Sequence, residues 1–394
     1  MGTLIKWLLG LFLLVVVLLV AAAIILPMVI NPNDYKDEII AKVEEKTGRD
    51  FAITQDLNLS VFPWLGIETG GVRLGNAAGF GEKPFAQVEH LAVRIKLLPL
   101  LSQQIEVDTL VIDGLQLHLA KNAQGKNNWA DLQGEAASDT EQTEKTTEEK
   151  GADADSLQVQ AEGVELKNVQ ISWHDAQSGQ HYQLQDVYLT LGNLALGAST
   201  PLQAGLQFAS QQPALQAAVT MQTELSIGDD LQRYQLKDLQ LQLKAQGEGL
   251  PEQGMQVELA SQIALDLAKD TLTVQDLVIK GPQLALQGNV QVAALQQQPQ
   301  VQGKLQLAET NIKKLAALFG VSMVTQEPQA LSKVSADMQL AHDGKVLKID
   351  PLRIQLDASK IDGYVHVLDT KGPTVRTKLV IDSLNADHYL PPSK

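Results

Sequence analysis

The sequence predicts a mainly β protein: a single amino-terminal transmembrane helix, then a long, curved, repeat-built antiparallel sheet left open as a trough, with one or two short helices. Three observations predict it. A long uncharged apolar run opens the chain, most of the remainder alternates apolar and polar residues with period two, and one short apolar pattern recurs along it.

Composition narrows the function classes. The 46 acids against 31 Lys and Arg give a formal net charge of −15, opposite to the basic stripe that binds nucleic acid. There is no cysteine, which excludes disulfides, thiolate nucleophiles and Cys-ligated zinc or iron–sulfur sites. Aromatic residues are only 4%, few for a stacking platform or an aromatic-lined cleft.

Residues 1–31 read as tail and anchor. Trp7 to Ile30 is WLLGLFLLVVVLLVAAAIILPMVI, twenty-four residues without a charge. A spanning helix needs about 20 such residues, whereas the apolar core of a cleaved signal has roughly 7–15. Ala21-Ala22-Ala23 has the small residues of a cleavage site, but Ile24-Ile25-Leu26 follows at once, so an uncleaved anchor is expected. Positive charges are fewer before the span (Lys6) than after it (Lys36, Lys42, Lys46, Arg49). That count alone would keep the body inside. Long domains translocate largely regardless of charge, and the six-residue tail leaves little to retain.

Residues 32–132 read as a module of helix plus sheet. A helix is expected over 33–48, capped by Asn33 or Asp34 and closed by Gly48, with Ile39, Ile40 and Val43 as a narrow stripe for a sheet edge. Two short strands should flank a corner at Pro63. Residues 133–157 read as an acidic disordered loop. Its stretch 133–156 holds eight acids, two lysines and no aromatic, Leu, Ile or Val, and cannot bury enough apolar surface to order itself.

Residues 158–394 read as the β-repeat region, with a second helix candidate at Asn311–Phe319. Its clearest alternating runs are Leu215 to Ile227 and Met255 to Leu267, each with one dry face and one wet, Gln-rich face. Residues 272–292 align without gaps on 347–367, sharing Leu272/Leu347, Leu277/Leu352, Ile279/Ile354, Gly288/Gly363, Val290/Val365 and Val292/Val367; the match continues from Leu305–Ala316 to Leu379–Leu390. The pattern apolar-x-apolar-x-x-apolar-x-apolar starts at Ile105, Val164, Tyr182, Tyr234, Leu272 and Leu347. In a plain strand its two apolar pairs would face opposite sides; one extra residue at a bulge returns both to one face and bends the strand. Repeated bends along a chain give a curved sheet with a continuous apolar concavity.

The residue patterns that carry chemistry are missing. No G-x-S-x-G, P-loop, H-E-x-x-H or G-x-G-x-x-G is present. His174 and His181 flank a hairpin and can meet across it, but no third ligand accompanies them, so no metal site, cofactor site or catalytic residue is expected. The expectation is a protein that is not an enzyme. An outer-membrane barrel would carry aromatic girdles and no retained helix, which does not fit.

The segments NPNDYKDEIIAKVEEKTGRDFAI, VFPWLG, Leu74-Gly75-Asn76, Pro84-Phe85-Ala86, Leu98-Pro99-Leu100-Leu101 and Gly125 to Trp129 together resemble the amino-terminal region of the bacterial AsmA family, over roughly residues 1–132. Leu384 to Pro391 resembles a later family segment. The resemblance implies an inner-membrane protein, single-pass, with a cytoplasmic amino terminus and a periplasmic body. It also implies a sheet folded around lipid tails, as in bridge-like lipid transfer proteins, and a role in outer-membrane biogenesis. Typical members are longer, so the carboxyl end is expected to be truncated and its last strand left open. On that reading Val219, Met221, Leu225, Val257, Leu259, Ile263, Leu265, Val290 and Val292 line a lipid groove, phospholipids and the inner membrane are the partners, and the chain is a monomer that takes no cofactor. The alternatives are a factor acting on outer-membrane protein assembly through contacts with envelope proteins, and a plain β-sandwich whose dry faces pack together, which periodicity alone favours and which the repeats and the resemblance turn against.

Overall fold

The computed structural model describes residues 31–60, 65–95, 107–133, 161–368 and 374–392. The expected anchor at Trp7–Ile30, the corner at Pro63, the segment Leu98–Leu101 and nearly all of the acidic stretch lie outside the described residues. Among those described, no helix is long and apolar enough to cross a membrane. The chain divides into two units, residues 1–188 and 189–394.

In the first unit a 3-10 turn at Pro32–Tyr35 leads into helix α1 (Lys36–Thr47). Asn33 does not cap it. The Asn31 side chain accepts the Asn33 N–H at 3.2 Å, while Asn33 exchanges two bonds with the Leu57 backbone at 3.0 and 2.8 Å, so its amide is committed to a distant loop. Gly48 closes α1 at φ +66, donating its N–H to the Glu44 carbonyl. The helix touches β1 (Phe51–Ile53); Ile40 and Val43 are half-buried, and Ile39 is exposed.

Strands β1 and β2 (Asn58–Ser60) both pair with β3 (Leu65–Leu74), and β3 pairs with β4 (Ala86–Ile95), all antiparallel. Strand β4 pairs with β5 (Val107–Asp113) and, for two residues, with β6 (Gln116–Lys121). The expectation of a purely antiparallel sheet is corrected here, because β5 and β6 both run parallel to β7 (Ala161–Asp175). A parallel pair needs a crossover of a dozen or more residues, and the long connection between Lys121 and Ala161 provides one. Strand β8 (Gln180–Leu191) follows a tight turn after Asp175.

Four of the quoted amino-terminal motifs meet in one polar knot. Arg49, 5% exposed, forks onto the Asp131 carboxylate at 2.9 and 2.6 Å and donates to the carbonyls of Asn128 and Gly75. Its guanidinium lies 4.7 Å from the centre of the Phe85 ring. Asn128 is fully buried: its amide donates to the Asn76 side chain and the His118 carbonyl, and its oxygen accepts the Ala120 N–H.

The second unit is a meander of β9 (Ser199–Gln211), β10 (Ala214–Ile227), β11 (Arg233–Gly247), β12 (Met255–Asp266), β13 (Thr271–Gly281), β14 (Leu284–Ala293), β15 (Gln300–Thr310), β16 (Val334–His342), β17 (Leu347–Leu356), β18 (Ser359–Val367) and β19 (Val375–Ile381). Each strand is antiparallel to the next. Among the described residues no ladder joins β19 to β9, so this unit is an open sheet and not a barrel. Helix α2 (Ile312–Leu318), capped by Asn311 on the Lys314 N–H, sits between β15 and β16.

Bulges stand where the recurring pattern places them. Asn168, Asp186, Asp238 and Asp276 each occupy the middle of a copy, at φ between +48 and +51. Asn and Asp are the non-glycine residues that best tolerate this left-handed conformation. In β11 the sheltered leucines and tyrosine are Tyr234 and Leu236 before Asp238, then Leu239, which is buried, and Leu241 and Leu243 after it, so even numbers give way to odd and one face stays apolar. The ladder to β12 shifts register between Leu236 and Leu239. In the last copy the shift falls between Ile349 and Leu352, around the cis bond Asp350–Pro351.

Candidate functional site: an open apolar face

Cross-strand register turns period-two alternation into rows that run across the second unit. One row is Ala204, Met221, Leu241, Leu259, Ile279, Leu286, Leu307, Ala336, Ile354, Ile361 and Ile381, one residue from every strand from β9 to β19. All eleven are apolar. A parallel row holds Leu225, Leu236, Ile263, Val274, Val290, Gly303, Leu340, Ile349 and Val365. With strands about 4.8 Å apart, the eleven-strand row is roughly 48 Å long.

The nine expected groove residues all fall on this face. Val219 and Val257 flank Leu243; Met221 and Leu259 flank Leu241; Leu225, Ile263 and Val290 share the second row; Leu265 and Val292 flank Leu272. The structure also brings in Leu241, Ile279, Leu286, Leu307, Ile354 and Ile361, which were not among the expected groove residues, although Ile279 and Ile354 had been noted as repeat identities. The pattern copies at Tyr234, Leu272 and Leu347 were the signal that could have found several of them.

Nothing in this unit covers the face among the described residues. The nine expected residues are half-buried, and among the described residues the buried apolar ones of the unit are Leu239, Ala330 and Ala336. In a two-layer sandwich such rows would form a dry core. Here their neighbours are one another, and α2, seven residues long, is the helix at hand.

The opposite face is polar and laced by amide pairs, Gln222 with Gln240 at 2.6 Å and Gln246 with Gln216 at 2.8 Å. Two shallow cavities of about 600 Å³ each lie on that side, lined by Asp276, Asn289, Lys304, Gln339 and their neighbours. Their charges are mixed. Among the described residues no cluster of three or more His, Asp or Glu could hold a metal ion. His174 and His181 do meet, with ring centres 4.1 Å apart, but stacked rather than converging on a point.

One end of the strands carries a polar brace. The Asp357 carboxylate accepts the N–H groups of Leu331, Ser332 and Lys333 and the Tyr389 hydroxyl at 2.8 to 3.1 Å. Burial pushes this carboxyl up, but the N–H donors and the Tyr389 hydroxyl outweigh it and hold Asp357 below its ordinary value. Burial and the same bond push the Tyr389 hydroxyl up.

A family model described as the AsmA family matches residues 1–224, further than the motifs over 1–132 had carried. Protein AsmA of Escherichia coli (strain K12) is 29% identical over 106 residues, covering 27% of this chain and 17% of that protein. The aligned region is therefore under a fifth of that relative's own length. No solved structure matches the chain. The family model spans 224 of 394 residues, and this protein belongs to the AsmA family.

Proposed function

We propose that this protein handles phospholipid in a bacterial envelope, shielding acyl chains on the apolar face of β9–β19 during outer-membrane biogenesis. On this reading Trp7–Ile30 anchors the chain in the inner membrane with Lys6 cytoplasmic, the body is periplasmic, and the protein works as a monomer without catalysis or cofactor. The observation that carries it is the unbroken eleven-residue apolar row, half-buried along nearly its whole length, with no second layer of the same unit over it among the described residues. Each methylene withdrawn from water is worth about 0.8 kcal/mol, so a chain laid along the face is held without pairing chemistry, while the Gln-rich side stays wet. Ile263→Asp tests the reading. In a covered core the buried carboxylate would cost on the order of several kcal/mol and unfold the unit; on an open face it stays hydrated. The full-length variant should keep its protease resistance and lose the lipid found by mass spectrometry, while Gln302→Asp on the polar face keeps both. Unfolding of Ile263→Asp alone, or undiminished lipid in it, would contradict the reading.

A second reading has one observation in its favour. Every residue of β19 is exposed, and among the described residues its ladder is to β18, so its other edge suits pairing with a strand from an envelope protein.

A further inference from the structure

We propose that Leu318–Val324, the loop that leaves α2, inserts into the surface of a lipid bilayer. The run from Leu315 to Gln326 contains no charged residue, and its large side chains point to no core: Phe319 is 61% exposed, Val321 54%, Met323 38% and Val324 64%. Leu390, 52% exposed, stands beside them, because the Gln326 N–H donates to its carbonyl at 2.8 Å.

The loop is not left loose by its surroundings. Lys313 reaches back from α2 to the Thr325 hydroxyl and to the carbonyls of Glu327 and Pro328. Thr325 is buried, and the Glu327 N–H is held by the His388 carbonyl at 3.1 Å. Polar bonds thus brace the base of the loop, and the apolar residues are the part they leave outside.

Composition selects a bilayer over a protein as occupant. Protein hot spots are built from Trp, Tyr and Arg, and 318–324 is Leu-Phe-Gly-Val-Ser-Met-Val. Phe and aliphatic residues with an exposed Lys314 one turn earlier match an interfacial anchor. Placement agrees. The loop joins the end of β15 to the start of β16, just past the Leu307–Ala336 pair of the long apolar row, so a chain leaving the bilayer there would meet that row within a few residues. The inference deepens the lipid-handling reading and rests on it.

The chain has no cysteine, so Phe319→Cys and Val324→Cys can each carry a single environment-sensitive fluorophore in the full-length protein. Gln296→Cys, on the turn after β14, serves as control. The protein is reconstituted in phosphatidylcholine vesicles with plain or brominated acyl chains, and co-purifying lipid is measured on the same samples. Emission from 319 and 324 should shift to the blue and lose intensity in brominated lipid, unchanged by added salt, and 296 should do neither. No quenching at 319 and 324 with bound lipid still present would overturn the loop and leave the lipid-handling reading standing. Quenching without bound lipid would support the loop and remove that reading. A blue shift that grows with protein concentration, without quenching, would mean contact between copies and would overturn the proposal.

Discussion

Arg49 follows the Gly48 cap of α1 directly, so whatever holds it also orients the helix that leads away from residue 31. Its ion pair with Asp131 is not the main source of stability, because the Asp131 side chain is 39% exposed and water screens it. The buried bond to the Asn128 carbonyl, worth about 1.5–3 kcal/mol when the donor is charged, together with the longer, part-buried bond to the Gly75 carbonyl and the Phe85 contact, outweighs it. None of this was legible locally: the partners lie 82, 79 and 26 residues away in sequence. The motifs around Gly75, Phe85 and Asn128 stood out as family markers, but nothing in them says that they converge on one guanidinium. Asp357 carries a prediction at the same scale. Its folded value lies below the ordinary 3.8, so its contribution to stability is complete above that value and is lost as pH falls through the folded one. Protection of the 386–390 amides against hydrogen exchange, taken relative to their intrinsic rates, should therefore fall as acid protonates Asp357 and before the strands open, and Asp357→Asn should show the reduced protection already at neutral pH. Protection that stays high in both cases would mean that the brace does not hold the carboxyl-terminal turn.

At the scale of the element, the bulges were readable because their signature is local: two apolar pairs three residues apart, with Asn or Asp between. The repeat has a physical cause as well. Gly288 sits opposite Leu277, and Gly363 opposite Leu352, each across from a register shift. A Cβ at Gly288 would collide with the Lys304 carbonyl, and one at Gly363 with the Lys378 carbonyl, so the shared glycine marks a close approach of backbones. The repeat also ends alike, with Asn311 capping α2 and Asn385 capping the 3-10 turn Ala386–Tyr389. Among the described residues β19 pairs with β18, and the turn that follows it is tied down by Asp357. The parallel pairing of β5 and β6 with β7 escaped the sequence reading, because a crossover is decided by distant partners and leaves no local period. Deleting Asp238 should move Leu239 to Ala245 onto the polar face and abolish protease resistance of the second unit. Asp238→Gly, which keeps the residue count and suits φ +51, should leave it intact. A stable deletion variant would refute the role given to the bulge.

For the whole molecule, the net charge of −15 and the polar face of the second unit suit a body held in water, and on the proposed reading the apolar rows are what that body offers to an apolar ligand. The site was legible strand by strand where alternation is clean, as in β10, β12 and β14. It was not legible as a continuous surface, because continuity depends on register between strands, and register is set by bulges and turns together. The most direct test of the account is a photocrosslinking scan along β12 in the full-length protein in membranes. Benzophenone side chains at Val257, Leu259, Ile263 and Leu265 should yield lipid adducts, and those at Gln256, Glu258 and Ala264 should not, so that adducts alternate with period two. Peptide adducts at the apolar positions, or lipid adducts without that alternation, would contradict an open lipid-bearing face.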